Sequence, residues 1–399
     1  MERGSLAAST AMGASRPIRA LQIITSLNTG GAEVMLRKLL STVDRSMILP
    51  MVISLTSSFP IGDEIESMGI PVVALGGRGG MLSVAQIRRL FQIAAEFRPD
   101  VIHSWMYHAN VAAFSLRWLP RNRDAALITS VRGALNAPDR QKRSLRLVRR
   151  LDALVSQRAD AVVFNSSVSA AQHIALGYDS RHVEIIPNGF ETTRFKPCIP
   201  TRSRMRAALG CEGSVLVGII GRYDPLKGHE SFLQAAAKVA AQRQNCHFVI
   251  AGRGCDASNE SLTGAVTRLN LAGKVSLLGE RSDIADLDCA LDVIVSASLS
   301  ESFPNAIGEA MSCAVPAVVT DVGDCRELVG DTGVVVPPRD ATALAAGILH
   351  VLNLDFAACA ELGARARRRI EQNFALTAVA ARFQGLYGRA VSARRERHS

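Results

Sequence analysis

The chain has 399 residues, a formal net charge of +10 and 48% hydrophobic residues. This composition excludes a disordered or collagen-like chain, and the length suits two domains. Aromatic residues make up only 5%, which argues against a platform that stacks single-stranded nucleic acid. The eight cysteines all follow residue 197 without a C-x-x-C pair. Such scattered thiols are typical of a reducing cytoplasm, and they indicate no zinc clip or thioredoxin-type chemistry.

The positive charge is concentrated in the N-terminal half. Residues 1–190 contain 22 Lys and Arg against 14 Asp and Glu, whereas residues 191–399 contain 24 against 22. A basic half suits nucleic acid, an anionic membrane surface or an anionic substrate. Residues 1–16 are rich in Ser, Ala and Gly without an apolar segment, so we expect a disordered tail and no secretory signal. No apolar run reaches the ~18–20 residues of a membrane-spanning helix.

Short aliphatic segments alternate with amphipathic ones from Ile18 onwards. The strand-like segments of the first half are Leu21–Thr25, Leu49–Leu55, Val72–Leu75, Val101–His103, Ala126–Val131 and Ala161–Phe164. Helical spacing lies between them, for example over Val84–Phe97. This alternation predicts an α/β domain over residues 17–190, with a parallel sheet covered by helices on both faces.

The Pro187-Asn188-Gly189 turn predicts a domain boundary, and the alternation then resumes. The second set of strand-like segments is Val215–Ile220, Cys246–Ala251, Val275–Leu278, Val293–Val295, Ala317–Thr320 and Gly333–Val336. We therefore predict two doubly wound, Rossmann-like domains, at 17–190 and 191–374, followed by a C-terminal helix and tail at 375–399 that crosses back to the first domain. Ligands of such sheets bind at the carboxyl ends of the strands, so the site should lie in the cleft between the domains.

A glycine turn follows the first predicted strand and opens a helix, at Asn28–Glu33. Two adjacent glycines let the backbone approach a ligand, and a helix N-terminus favours an anion. Taken alone, however, this segment is explained better by a tight turn.

Two cations flank a proline turn at the equivalent place in the second half. Arg222 follows the strand, and Lys227 stands where the next helix starts. A lysine in a first helical turn opposes the helix dipole, so a nearby anion would stabilise it. The pair is suited to a diphosphate.

Two glutamates, Glu301 and Glu309, bracket the segment Ser302–Gly308. The proline within this segment is typical of a helix start, where backbone N–H groups are free. Carboxylates that can accept hydrogen bonds from sugar hydroxyl groups therefore lie beside a helix N-terminus that can bind phosphate. A preference for acidic residues at helix starts explains either glutamate singly, but not the whole nonapeptide.

Together with Ile186–Phe190, Ile250–Gly254, Asp321–Glu327 and Val336–Asp340, these three segments resemble the family 4 retaining glycosyltransferases, which have the GT-B fold. The resemblance covers roughly residues 18 to 390, and its motifs occur in the family's order. Two positions depart from it: Arg253 stands where the family often has Asp, and Asp324 replaces a common Gly.

The resemblance implies a nucleotide-sugar donor held mainly by the second domain, and we expect a UDP-sugar, with a GDP-sugar as the alternative. Arg222 and Lys227 would hold the diphosphate, Glu309 the ribose hydroxyls, and Glu301 would lie near the sugar. The further donor contacts implied are Gly31, Arg281, Phe303, Pro304 and Asn305. In such enzymes the leaving diphosphate can take the acceptor's proton, so catalysis is chiefly positioning and charge stabilisation, without a metal or other cofactor.

A histidine is also implied just after the strand that starts at Val101. If that strand ends near 103, His108 begins the next helix and points toward the cleft, so we assign His108 to the catalytic group. His103 is explained equally well by packing in the core, and the choice between the two stays open.

The segment Asp286-Leu287-Asp288 matches the D-x-D metal motif of a different transferase fold. It lies in a short helical run, so we interpret it as a solvated helix face and predict no metal site.

A basic run occupies residues 140–151, where six of twelve residues are Lys or Arg. Leu147, Leu151 and Leu154 share one helical face. We predict that Arg143, Arg146, Arg149 and Arg150 contact anionic lipid headgroups or a lipid-diphosphate acceptor. The alternative is an ordinary amphipathic helix, packed on its domain, with a solvated basic face.

The sequence thus predicts a retaining glycosyltransferase that moves a hexose or N-acetylhexosamine from an NDP-sugar to a lipid-linked or cell-envelope glycan acceptor. We expect it at the cytoplasmic face of the membrane, attached peripherally. One alternative is a UDP-sugar 2-epimerase of the same fold, which needs no acceptor. The other is a basic nucleic-acid-binding protein, for which the chain has no recognisable module.

Overall fold

A computed structural model of the chain describes residues 16–79, 81–135 and 143–398. The tail predicted at 1–16 and the first three residues of the basic run, 140–142, therefore lie almost entirely outside the described residues.

The first half forms a sheet of seven parallel strands. These are β1 (Ile18–Ile24), β2 (Ile48–Ser54), β3 (Val72–Ala74), β4 (Val101–Trp105), β5 (Ala126–Val131), β6 (Ala161–Phe164) and β7 (Val183–Ile185). Their order is β3-β2-β1-β4-β5-β6-β7, so the direction of winding reverses between β1 and β4. Strands β5 and β6 are buried along their whole length, which explains the continuous apolar sequence of β6 and the mainly apolar sequence of β5.

Helices cover both faces of this sheet. They are α1 (Gly31–Thr42), α2 (Ile61–Ser67), α3 (Val84–Phe97), α4 (Tyr107–Ser115), α5 (Arg143–Ser156) and α6 (Ser167–Ile174). Alternate residues of β5 enter opposite cores: Ala126 and Ile128 belong to one cluster, and Leu127 to the other. The alternation follows from the two-residue period of a strand.

The second half forms a sheet of six parallel strands. These are β8 (Val215–Ile220), β9 (Cys246–Ala251), β10 (Val275–Gly279), β11 (Val293–Ser296), β12 (Ala317–Thr320) and β13 (Gly333–Val336). Their order is β10-β9-β8-β11-β12-β13, with the winding reversed between β8 and β11. The predicted fold of two doubly wound domains is confirmed. The predicted boundary after residue 190 falls between the two sheets.

Helices also flank the second sheet on both faces. They are α7 (Ile199–Ala208), α8 (His229–Gln242), α9 (Glu260–Arg268), α10 (Ile284–Ala290), α11 (Asn305–Ser312), α12 (Cys325–Val329), α13 (Ala341–Leu352) and α14 (Phe356–Asn373).

The last helix, α15 (Leu376–His398), returns to the first domain as predicted. Its buried residues Phe383 and Tyr387 belong to the core cluster that contains Trp105 of β4. The chain passes between the domains twice, and the two connecting segments lie side by side. The Phe190 N–H donates to the Phe374 carbonyl and the Leu376 N–H donates to the Phe190 carbonyl, both at 2.9 Å.

Within the described part of the chain, no single helix is long and apolar enough to cross a membrane, although α13 and α14, bent by 111°, meet the length and composition criteria as a pair.

Candidate active site

A cleft of about 540 Å³ lies between the domains, where the carboxyl ends of both sheets face each other. The structure brings most of the predicted donor residues to it. The cleft-lining residues among them are Gly31, Arg222, Lys227, Arg281, Glu301, Phe303 and Asn305. Pro304 lines a small adjoining cavity together with Lys227 and Glu301. This location is typical of ligand sites in doubly wound sheets.

The Arg222 loop is built by a local cap at the end of β8. An Asp224 carboxylate oxygen accepts from the Leu226 N–H at 2.9 Å and so fixes the short turn that carries Lys227. The Arg222 Nη2 donates to the same carboxylate at 3.2 Å, and its side chain is 59% exposed. Gly228 ends the turn with φ of 70°, and a Cβ there would collide with the Ala297 carbonyl. The loop therefore seats closely on the end of β11 while the Arg222 guanidinium stays accessible.

Lys227 and Glu301 form an ion pair in the cleft, with 2.6 Å between Nζ and Oε2. The Ser298 hydroxyl donates to the same carboxylate oxygen at 3.2 Å. Gly323 packs against the Glu301 backbone, and its φ of 54° favours glycine. Arg281 is paired in the same manner, since its Nε donates to Asp283 at 2.8 Å. Each of these second-domain cations thus has a carboxylate partner.

Two helix N-termini meet across the cleft. Helix α11 begins at Asn305 and α1 at Gly31, and neither has a side-chain cap. A Cβ at Gly31 would lie 3.7 Å from the Asn305 Nδ2, so the two termini are close. Their free backbone N–H groups make the middle of the cleft favourable for an anion.

Glu309 lies one turn into α11 and does not line the cleft. Its carboxylate accepts from the Lys38 Nζ of α1 at 2.9 Å, an ion pair between the domains. A ribose contact of Glu309 stays a prediction, and it would require this pair to open.

The predicted catalytic role of His108 stays a prediction, and the structure does not place its side chain among those that line the cleft. Strand β4 extends to Trp105 rather than ending near residue 103, so α4 starts at Tyr107. His108 is half-buried there and is not among the residues that line the cleft. Its predicted orientation toward the cleft required β4 to end near residue 103, and this requirement is not met.

His103 is fully buried in the first domain. Its Nδ1 lies 2.7 Å from the Tyr387 hydroxyl and its Nε2 2.7 Å from the Ser130 hydroxyl. Burial lowers its pKa well below the usual range, and the nearby Arg132 lowers the pKa further. His103 is a neutral core residue that joins α15 to the sheet, as the packing alternative predicted.

The interpretation of Asp286-Leu287-Asp288 as a solvated helix face is wrong for Asp288. Asp286 is partly exposed and pairs with Arg204 at 2.9 Å. Asp288 is fully buried, and its carboxyl group has no hydrogen-bond partner among the described residues. Burial raises its pKa well above the usual range. No three His, Cys, Asp or Glu side chains within the described ranges form a group that could hold a metal ion.

The basic helix α5 is only partly as predicted. Arg146 and Arg150 are exposed, but Arg149 is buried, and its guanidinium lies over the Tyr107 ring at 4.8 Å. Arg149 therefore cannot serve as a surface cation. The Arg143 side chain lies outside the described residues. The leucine face is not packed on the domain: Leu147, Leu151 and Leu154 are 59%, 43% and 61% exposed.

One cleft residue escaped the sequence analysis. Arg132 follows β5 directly and is only 8% exposed, although it lines the cleft. Its Nη2 donates to the Asn188 Oδ1 at 2.6 Å, and its guanidinium lies 5.3 Å from the centre of the Trp105 ring. Burial lowers its pKa to about 9. The available signal was a basic residue placed immediately after a fully buried strand, at its carboxyl end.

The domains are held together across the cleft by polar contacts. Asp324, one of the departures from the family pattern, accepts from the Ser167 N–H at 2.8 Å and the Val168 N–H at 3.2 Å, at the start of α6. The Asn188 amide donates to the Asn305 Oδ1 at 2.7 Å. A carboxylate of the second domain thus caps a helix of the first.

Comparison with known proteins agrees with this architecture. The model of the Glycosyltransferase Family 4 matches residues 29–194, and that of the Glycosyl transferases group 1 matches residues 214–354. The D-inositol 3-phosphate glycosyltransferase of Kineococcus radiotolerans is 30% identical over 330 residues, 75% of this chain and 74% of the relative. The protein of the same name from Mycobacterium bovis is 30% identical over 269 residues, 64% of this chain but only 54% of its own length.

Solved structures share the fold. The Anabaena protein HepE in complex with UDP has a TM-score of 0.82 at 24% identity and covers 93% of this chain and 100% of its own. Sucrose-phosphate synthase from Thermosynechococcus elongatus has a TM-score of 0.77 at 20% identity, covering 94% and 100%. The fold and the cleft are those of a GT-B glycosyltransferase.

The chain belongs to glycosyltransferase family 4. This membership favours the transferase over the epimerase and nucleic-acid alternatives.

Proposed function

We propose that the protein transfers a hexose or N-acetylhexosamine from a UDP-sugar, with retention of configuration, to an acceptor such as a lipid-linked or cell-envelope glycan precursor. The observation that carries the donor assignment is the placement of Arg222 and Lys227 at the carboxyl end of β8 in the interdomain cleft. The structures of Anabaena HepE in complex with UDP and with UDP-glucose support a uridine nucleotide.

The donor diphosphate would replace the internal carboxylate partners of the two cations. Arg222 is largely exposed and its pair with Asp224 is long, so exchanging it for a phosphate costs little. Lys227 is held by Glu301 at 2.6 Å and would be shared between Glu301 and the diphosphate. The N-terminus of α11 adds backbone donors on the same side.

The transfer step needs no protein nucleophile. The acceptor hydroxyl forms a bond to the anomeric carbon on the face from which the diphosphate leaves, and the hydroxyl proton passes to the departing phosphate oxygen. The chain's part is to position both substrates and to stabilise charge on the leaving group. Arg222 and Lys227 serve that purpose, so we propose a metal-independent reaction.

Chelation tests that part of the proposal. Transfer is expected to survive excess EDTA, because two side-chain cations neutralise the diphosphate. A complete loss of transfer that Mg²⁺ or Mn²⁺ restores would contradict it.

We also propose peripheral attachment to the cytoplasmic face of the membrane through α5. Leu147, Leu151 and Leu154 form one exposed apolar face, and Arg146 and Arg150 are exposed on the same helix. Each cation near an anionic leaflet contributes ~1 kcal/mol, and inserted leucines would add apolar burial. The acceptor would then be met at the membrane surface.

Sedimentation with phosphatidylglycerol vesicles tests the attachment. We expect binding at low salt, partial release at high salt and little binding to neutral vesicles. R146Q/R150Q and, separately, L147S/L151S/L154S should each weaken it, whereas the control R88Q/R89Q on the exposed face of α3 should not. Unchanged sedimentation of both α5 variants would show that this helix is only a solvated surface.

The donor is tested by thermal-shift screening of UDP- and GDP-sugars, followed by transfer to a membrane extract with the sugar that stabilises the protein. Stabilisation by UDP-sugars and formation of a glycosylated product are the expected results. Conversion of the donor sugar without any acceptor would instead indicate an epimerase.

A further inference from the structure

Arg132 is an uncompensated buried cation on the first-domain wall of the cleft. Its guanidinium is held by neutral oxygens only: Nε and Nη2 donate to the Asn188 Oδ1 at 3.3 and 2.6 Å, and Nη2 lies 3.4 Å from the Ile186 carbonyl. Among the described residues it forms no ion pair, and its Nη1 has no hydrogen-bond partner.

The surroundings fix this charge in place. The guanidinium lies over the rings of Trp105 and Phe383, at 5.3 and 5.9 Å from their centres. The next residues also line the cleft, and they are held by α6, because the Ser169 hydroxyl donates to the Gly133 carbonyl at 2.8 Å. A fixed cation thus faces the cleft, and the part of the chain that the structure describes gives it no counter-charge.

A buried charge without a partner is costly for a protein, and its pKa falls as a result. The pKa of Arg132 is lowered by burial, and no acidic group offsets that effect. A neutral residue such as Gln could satisfy the same two oxygens of Asn188 and Ile186 without this cost. The positive charge is therefore best explained by an anion that enters the cleft.

We infer that Arg132 is the recognition residue for a phosphate group of the acceptor. Resting on the proposed function, the inference adds the chemical class of the second substrate. The donor diphosphate already has Arg222 and Lys227 on the opposite wall, whereas Arg132 follows β5 of the first domain. A guanidinium with a free Nη1 is suited to phosphate oxygens.

The test is calorimetry on the full chain saturated with UDP, so that the donor site is already filled. The probes are inorganic phosphate, D-inositol 3-phosphate and myo-inositol, and the variants are R132Q, R132K and the control R253Q, which removes a cation from the opposite wall of the same cleft. Vesicles containing phosphatidylinositol provide a second arm, in which the phosphate belongs to a lipid.

We expect wild type to bind the phosphate-bearing probes, or the phosphatidylinositol vesicles, better than myo-inositol. R132Q should weaken that binding by about tenfold to hundredfold, the usual effect of losing a charged hydrogen bond, while UDP affinity changes less than about twofold. R132K should retain part of it, and R253Q most of it. A loss confined to the soluble probes identifies a free phosphate ester, and a loss confined to vesicles a lipid phosphate.

Two results would overturn the inference. One is wild-type protein that binds no phosphate probe in either arm better than R132Q does. The other is an R132Q variant that loses UDP affinity as strongly as an Arg222 variant, which would assign Arg132 to the donor.

Thermal unfolding provides a second readout, which shows whether R132Q binds phosphate weakly because the variant is not folded. Since R132Q removes an unpaired buried charge, its melting temperature without ligand should not fall, and phosphate should raise the melting temperature of wild type only. This binding test needs no turnover. Arg132-dependent phosphate binding without transfer from any UDP-sugar would therefore refute the proposed function and leave the phosphate site standing.

Discussion

The two walls of the cleft hold their positive charges in opposite ways. On the second-domain wall, Arg222 and Lys227 lie on a short loop after β8, and each is paired with a carboxylate. On the first-domain wall, Arg132 is buried, and the described residues provide it with amide and carbonyl oxygens but no carboxylate. Arg222 and Lys227 are thus partly exposed to solvent and neutralised by carboxylates. Arg132 is shielded from solvent, and the described residues do not neutralise its charge.

This difference separates two tasks. A solvated ion pair contributes little to stability, so a loop can exchange its carboxylate for a diphosphate when the donor binds and take it back when UDP leaves. A buried unpaired charge has no carboxylate to pair with when the ligand leaves, so it lowers the stability of the ligand-free protein. The second wall is therefore suited to a ligand that comes and goes as a leaving group, and the first to selecting an anion.

The largest effect is expected from Glu301, which pairs with Lys227 on the second wall and which we propose lies beside the reacting sugar. E301Q removes the charge that holds Lys227 at 2.6 Å. We expect kcat to fall on the order of 10²-fold, the usual consequence of a misplaced catalytic group. The donor KM should change much less. Steady-state kinetics that show a raised KM with normal kcat would mean that Glu301 only binds the donor.

A smaller effect is expected on donor affinity when either cation of the second wall is removed. R222A or K227A should each weaken UDP binding by ~1.5–3 kcal/mol, because each loses a charge-assisted hydrogen bond to the diphosphate. Calorimetry with UDP measures this directly. R268Q, an exposed arginine paired with Glu230 outside the cleft, is the matched control. Equal affinities in wild type and both variants would remove the donor from this wall.

Asp324 keeps the two walls facing each other. D324A removes the cap on the start of α6 and should lower the free energy of unfolding by ~1–2 kcal/mol. It should also widen the cleft, as measured by the distance between spin labels on the two domains. D340A is the control, since Asp340 caps α13 within one domain by accepting from Ala343 N–H at 2.8 Å. If both variants leave the distance unchanged, Asp324 is only a stabilising cap.

A further effect on stability is expected from a second buried ionisable group of the first domain, Asp152. Burial raises the pKa of Asp152 to about 7, although Asn110 and Tyr178 donate to it. The folded protein then holds a proton that the unfolded chain has already lost above pH ~4. Stability should therefore fall as pH rises from about 4 to about 7, by on the order of 1 kcal/mol per pH unit or less, and level off above. Urea titrations should show a flatter profile for D152N, and identical slopes would contradict the raised pKa.

Much of the fold follows from the sequence because parallel strands buried on both faces are continuous apolar runs. Six strands of the first sheet and all six of the second were predicted within a few residues of their observed bounds. Strand β7 was missed, since its three residues are only half-buried at the sheet edge and form no apolar run. The predicted end of β4 is two residues too early, and the predicted orientation of His108 toward the cleft depended on that end.

The site was predictable where a motif fixes a local turn, and not where distant segments meet. Arg222, Lys227 and Glu301 lie in the cleft because each is on a loop that leaves the carboxyl end of a strand of the second sheet. Arg132 depends on Asn188, which is 56 residues further along the chain. The ion pair of Glu309 with Lys38 joins residues 271 positions apart. No local pattern encodes such contacts, and the same holds for the burial of Arg149 and Asp288.

The division of labour between the walls is tested most directly by a crystal structure of the protein with UDP bound. We expect the diphosphate oxygens within hydrogen-bond distance of the Arg222 and Lys227 side-chain nitrogens, with Arg132 making no contact to UDP. A diphosphate bound to Arg132, or lodged on the first domain away from Arg222 and Lys227, would contradict it.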